Sequence, residues 1–96
     1  MTEEKDRGYN MLTAVVNSGE AEAVMNAARS AGANGGTVIS ANGTGSPGSK
    51  KDVVIILSSA ASTQKILEAI STELDSDGKG IAFSLPVDDV VGIITG

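Results

Sequence analysis

Two segments of this chain, YNMLTAVV at residues 9–16 and DVVIILSS at residues 52–59, are apolar on both faces of an extended strand. Side chains alternate along a strand, so Met11, Thr13 and Val15 share one face while Leu12, Ala14 and Val16 share the other. A strand apolar on both sides belongs in the middle of a sheet with both faces covered. A chain of 96 residues is one small domain and has few elements with which to cover them.

Two helices are available. In NSGEAEAVMNAARSAG, residues 17–32, Ala21, Val24, Met25, Ala28 and Ala31 recur at helical spacing. Asn17 is placed to cap this helix with Glu20 as its box partner, and Gly32 is a natural stop. A second helix is predicted over residues 63–74, with Ser62 as cap and Ile66, Leu67, Ile70 and Leu74 as its buried stripe. Further strands are predicted at residues 35–42, 81–87 and, briefly, 90–95, with Pro86 ending regular pairing in the fourth. Loops are expected at residues 43–51 and 75–80. The order is βαββαβ plus a short C-terminal strand, an α+β chain of the ferredoxin-like type, spanning residues 9–96 after a polar lead-in at 1–8. Both helices of that arrangement lie on one sheet face. The other face is apolar as well, and association with further copies is the simplest way to bury it.

Composition narrows the chemistry. Hydrophobic residues make up 41% of the chain, yet Tyr9 and Phe83 are its only aromatics, so the core is aliphatic. The net charge of -5 argues against nucleic-acid binding, which needs a basic surface. One small anion remains compatible with it, since backbone N–H groups bind phosphate without net positive charge. There is no cysteine and no histidine, which removes disulfides, thiolate chemistry and an ordinary zinc site. No apolar run has the length of a membrane-spanning helix, and MTEEKDRG is not a signal sequence, so the chain reads as soluble and cytoplasmic.

Two glycine-rich stretches invite a ligand. GTGSPGSKK follows the second strand, and Asp77-Gly78-Lys79-Gly80 precedes the fourth. Neither matches the phosphate loop G-x-x-x-x-G-K-[ST], and neither is a G-x-G-x-x-G that opens a helix. Taken alone, Asp-Gly is a common turn pair, Gly-Ser-Pro-Gly-Ser is a flexible connection, and Lys50 and Lys51 are charges at the edge of a strand.

Taken together, AARSAGANGGTVISANGTG and DGKGIAFSLPVDDVVGI resemble the nitrogen regulatory P-II family and its P-II-like relatives, from about Tyr9 to Thr95. The resemblance implies a trimer of ferredoxin-like subunits that holds an adenine nucleotide (ATP, ADP or AMP) in the clefts between subunits, with no covalent cofactor. It places Thr37 near the adenine of a neighbouring subunit and Gly43 at the base of the effector loop. It makes Asp77, Gly78 and Lys79 the phosphate-side loop. Thr44, Gly45, Ser46, Pro47, Gly48, Ser49, Lys50 and Lys51 become a shortened partner-binding loop, directed at a protein such as a membrane transporter or an enzyme. Three departures stand out. Asn42 occupies a usually basic position, the modified loop tyrosine has no counterpart, and the paired phosphate-contacting arginines align with Gly92 and Ile94. Each lost arginine contact belongs to a class worth roughly 1.5–3 kcal/mol.

Two rival readings stand beside this one. The chain is an oligomeric interaction module that kept the trimer and lost the nucleotide, or it is an enzyme built on Asp75, Asp77, Asp88 and Asp89. The second has no histidine or cysteine for acid–base or nucleophilic work, and four aspartates near loops are ordinarily solvated.

Overall fold

The computed structural model describes residues 8–45, 49–77 and 80–92. The elements run β1 (Tyr9–Asn17), α1 (Ala21–Ser30), β2 (Thr37–Gly43), β3 (Ser49–Ser59), α2 (Ala60–Asp77) and β4 (Ile81–Val87). They form one four-stranded sheet in the order β2-β3-β1-β4, with every neighbouring pair antiparallel. This is the βαββαβ ferredoxin-like arrangement, and the two strands apolar on both faces, β1 and β3, are its central pair.

The register separates the two faces. Leu12 lies beside Ile56, and Ala14 lies between Val54 and Ala82. These residues face the helices and, with Val16, Val24, Met25, Ala28, Ile66 and Ile70, make the core. Burying an aliphatic side chain of this kind is worth about 1.5–3 kcal/mol. The alanines of α1 let it sit close to the sheet. Gly36, just before β2, is part of the same close packing: a Cβ there would stand 2.9 Å from the Ile55 carbonyl and 2.9 Å from Ile56 Cγ1.

The face away from the helices is laid out in rows. Ile39, Val53, Val15 and Ile81 form one, and Thr37, Ile55, Thr13 and Phe83 the next. Leu57, Met11 and Leu85 follow. No element of this chain covers them among the described residues. Ile81 is 60% exposed, Leu85 47%, Ile39 46% and Phe83 39%.

Several local expectations need correction. Asn17 does not cap α1: it is the last residue of β1, and its carbonyl accepts from Glu20 N at 3.0 Å. Glu20 occupies the cap position with no side-chain cap bond. The loop expected over 43–51 is shorter, because Ser49, Lys50 and Lys51 pair in β3 opposite Gly43, Asn42 and Ala41. Ladder pairing with β2, joined at Lys51 by pairing with Asn17 of β1, outweighs the loop-like composition there. Strand β2 begins at Thr37 and includes Gly43 rather than running over residues 35–42.

Helix α2 starts directly after β3, with Ala60 N donating to the Gly8 carbonyl at 2.8 Å, so Ser62 lies inside its first turn. At its other end the helix runs through Asp75 to Asp77, residues read as loop, because the first strong breaker in the sequence is Gly78. Of the terminal strand expected over residues 90–95, the last three residues lie outside the described ones, and Gly92 makes a bend at φ +124°.

Candidate ligand cleft at one end of the sheet

The antiparallel ladder brings four chain segments to the same end of the sheet. The end of β1 lies beside the start of β3, Asn17 opposite Lys51, and beside the start of β4, Val15 opposite Ile81. The end of β2 meets the start of β3 at Gly43 and Ser49. Gly80, which leads from the α2–β4 connection into the sheet, packs here too. It has φ +117°, and a Cβ on it would stand 3.0 Å from the Val15 carbonyl. Gly43 and Gly80, far apart in sequence, therefore lie at the same end of the sheet, on its two opposite edges.

Among the sequence-selected residues, Gly43 and Lys51 sit together. The Lys51 Cε passes 3.2 Å from where a Cβ on Gly43 would be, and its ammonium donates to Asn17 Oδ1 at 2.8 Å. Strand alternation sends Lys50 to the helix side of the sheet beside Asn42, and Lys51 to the open side beside Ala41. A hollow of about 390 Å³ wraps this hairpin root and is lined by Ser18, Ser40, Ala41, Asn42, Lys50 and Lys51. Its charged lining is entirely cationic. The nearby Asp52 carboxylate is already engaged, its Oδ2 accepting from Gly19 N at 3.0 Å.

Asp77 is the last residue of α2, and Thr44 and Gly45 follow β2. Gly78, Lys79, Ser46, Pro47 and Gly48 lie outside the described residues, as does Ile94. Thr37 is elsewhere. It is exposed, on the open face, at the opposite end of β2 from Gly43. Six residue steps along the strand separate the two, about 20 Å at the usual rise. Within a single copy of this chain Thr37 and Gly43 do not reach one small ligand.

Sequence reasoning missed Asn17, Ser18 and Ser40 as lining or positioning residues. They carry no motif. Asn17 was assigned to a helix cap, and only the β1–β3 register puts it opposite Lys51. Among the described residues no group of three or more His, Cys, Asp or Glu could hold a metal ion, and no helix is long and apolar enough to cross a membrane.

The profile of the family described as nitrogen regulatory protein P-II matches residues 9–96. The chain belongs to the P-II family. P-II proteins and their relatives recur among similar solved structures. One is Arabidopsis thaliana PII bound to citrate, 26% identical at a TM-score of 0.76, over 95% of this chain and 88% of that one. A putative PII-like signaling protein from Thermus thermophilus superposes at a TM-score of 0.71 with 23% identity, over 84% and 87% of the two chains. A Bacillus cereus protein related to NIF3 shares the fold at a TM-score of 0.73 and 18% identity. This chain is 86% covered there but spans only 26% of that protein. No curated protein sequence matches this P-II family member.

Proposed function

We propose that this chain is a non-catalytic P-II-type regulator of the cytoplasm. It assembles as a trimer, holds a small anion in the cleft between subunits, with an adenine nucleotide as the first candidate, and signals to a protein partner. The carrying observation is that Gly43 and Lys51 meet at the root of the β2–β3 hairpin, beside a hollow whose charged lining is two lysines. The separation of Thr37 from Gly43 supports a cleft shared by two subunits: one supplies Thr37, the next supplies Gly43 with Asp77, Gly78 and Lys79. The uncovered apolar face supports self-association, since such a surface favours burial against another copy. That the related Arabidopsis PII was solved with citrate supports an anionic ligand.

The partner contact falls to the β2–β3 connection, Thr44 to Gly48, with Ser49, Lys50 and Lys51 as its rigid base. A transporter or an enzyme is the partner class, and ligand state biases how this connection is presented.

A second reading, a trimeric interaction module without a nucleotide, is favoured by Gly92. The arginine expected at that position is absent, and the backbone there is at φ +124°, where a side chain is strained. Titration calorimetry with ATP, ADP, AMP, a cyclic nucleotide and citrate separates the two readings. The regulator binds at least one of them, more weakly in Lys79→Ala. No heat and no thermal shift with any of the five leaves the interaction module.

A further inference from the structure

Thr13 sits in the centre of the uncovered face, on β1 between Ile55 and Phe83, with Met11 and Val15 along its own strand. Only 8% of the residue is exposed, and its Oγ1 is sealed with no hydrogen-bond partner among the described residues. The other buried polar side chains among the described residues are answered. Ser58 and Thr63 share a 2.8 Å bond, and Thr63 also donates to the Ser59 carbonyl at 2.9 Å. A buried hydroxyl without a partner is destabilising, because it has given up its hydrogen bonds to water and gained none. Valine has nearly the same shape, is better suited to a strand and carries no such cost.

We infer that Thr13 is a specificity-determining residue of self-association, its hydroxyl completed by a polar group of the copy that covers the open face. The inference rests on the proposed association of subunits through that face. A face built from Ile39, Val53, Val15, Ile81, Leu57 and Leu85 is adhesive but has little direction, because apolar contact tolerates sliding and rotation. One central hydroxyl that is satisfied in a single alignment penalises the others, as a lone polar residue does in an otherwise apolar helix seam. The hydroxyl becomes reachable without backbone movement: a turn about χ1 exchanges its place with that of the methyl group. Phe83, on an edge strand and 39% exposed, has room to move aside.

The test is sedimentation equilibrium of the full chain over a dilution series, for wild type, Thr13→Val and Thr13→Ser, with melting followed by circular dichroism. The expected result is an assembly about tenfold weaker in Thr13→Val, about 1.4 kcal/mol, and within about threefold of wild type in Thr13→Ser. Thr13→Val assembling as tightly as wild type and melting higher overturns the inference, since the hydroxyl is then a tolerated orphan. If wild type sediments as a single chain at all concentrations, the association reading falls and the inference falls with it. Should Thr13→Val fail to fold, Thr13→Ala set against Thr13→Ser repeats the comparison at smaller volume. Equal assembly of those two also overturns the inference.

Discussion

Lys51 donates a 2.8 Å hydrogen bond from its ammonium to the side-chain oxygen of Asn17, joining the beginning of β3 to the last residue of β1. The bond holds the lysine on the open side of the sheet, next to Gly43 and away from Lys50. In water a lysine of this length samples many rotamers. Here the bond to Asn17 holds the charge in one place.

Removing that charge should therefore matter more than removing its tether. Lys51→Ala is expected to weaken binding of an anionic ligand at least tenfold, about 1.4 kcal/mol. Asn17→Ala leaves the charge and is expected to weaken it only about two- to threefold. Calorimetry with the tightest of the five ligands above reads both. Equal affinities for Lys51→Ala and wild type would remove Lys51 from the site.

The hydroxyl of Thr63 is the hub of the opposite sheet end. It accepts from Asn10 Nδ2 at 2.9 Å, shares a 2.8 Å bond with Ser58 Oγ and donates to the Ser59 carbonyl. Thr63→Val keeps the shape and orphans a buried serine and a half-buried amide. A loss of about 2 kcal/mol in urea unfolding is expected, with Thr63→Ser losing clearly less.

Gly36 and Gly45 should respond in opposite ways to alanine. At Gly36 the new Cβ meets the Ile55 carbonyl at 2.9 Å and Met25 Sδ at 3.0 Å, inside the sheet–helix packing. A cost of about 1–3 kcal/mol is expected. At Gly45 nothing lies within 4 Å, so the change is expected to stay within about 0.5 kcal/mol. Paired thermal melts of the two variants check the contrast.

Charge placed on the open face should separate association from folding. Ile39→Lys and Ile81→Lys alter side chains already 46% and 60% exposed in the single chain. Each is expected to keep the wild-type circular dichroism spectrum and to shift the subunit count in native mass spectrometry towards one. An unchanged subunit count in both would place the association surface elsewhere.

The fold was legible because period and chemistry agreed. Helical spacing marked Val24, Met25 and Ala28 in α1, and Ile66 and Ile70 in α2, and all five are buried, whereas Leu67 and Leu74 of the same stripe are only half-buried because they lie at its margin. A run apolar on both sides marked β1 as central, and β3 read as the most apolar strand. Boundaries were less legible wherever a polar or glycine-rich stretch was held by neighbours. Ser49 to Lys51 read as loop and are strand, because pairing with β2, and with β1 at Lys51, decides the matter. Asn17 read as a helix cap and is instead the tether of a lysine 34 positions away.

By itself the sequence determined the order of elements, the aliphatic character of the core and the absence of thiol and imidazole chemistry, since these follow from residue type and local spacing. Only the tertiary structure decided which groups meet. Antiparallel registry put Gly43, Lys51 and Asn17 in one corner and Thr37 about 20 Å from Gly43 along β2. It also sealed the Thr13 hydroxyl among apolar neighbours. Contacts between distant segments depend on strand register, a property of the whole sheet that no short window of sequence contains.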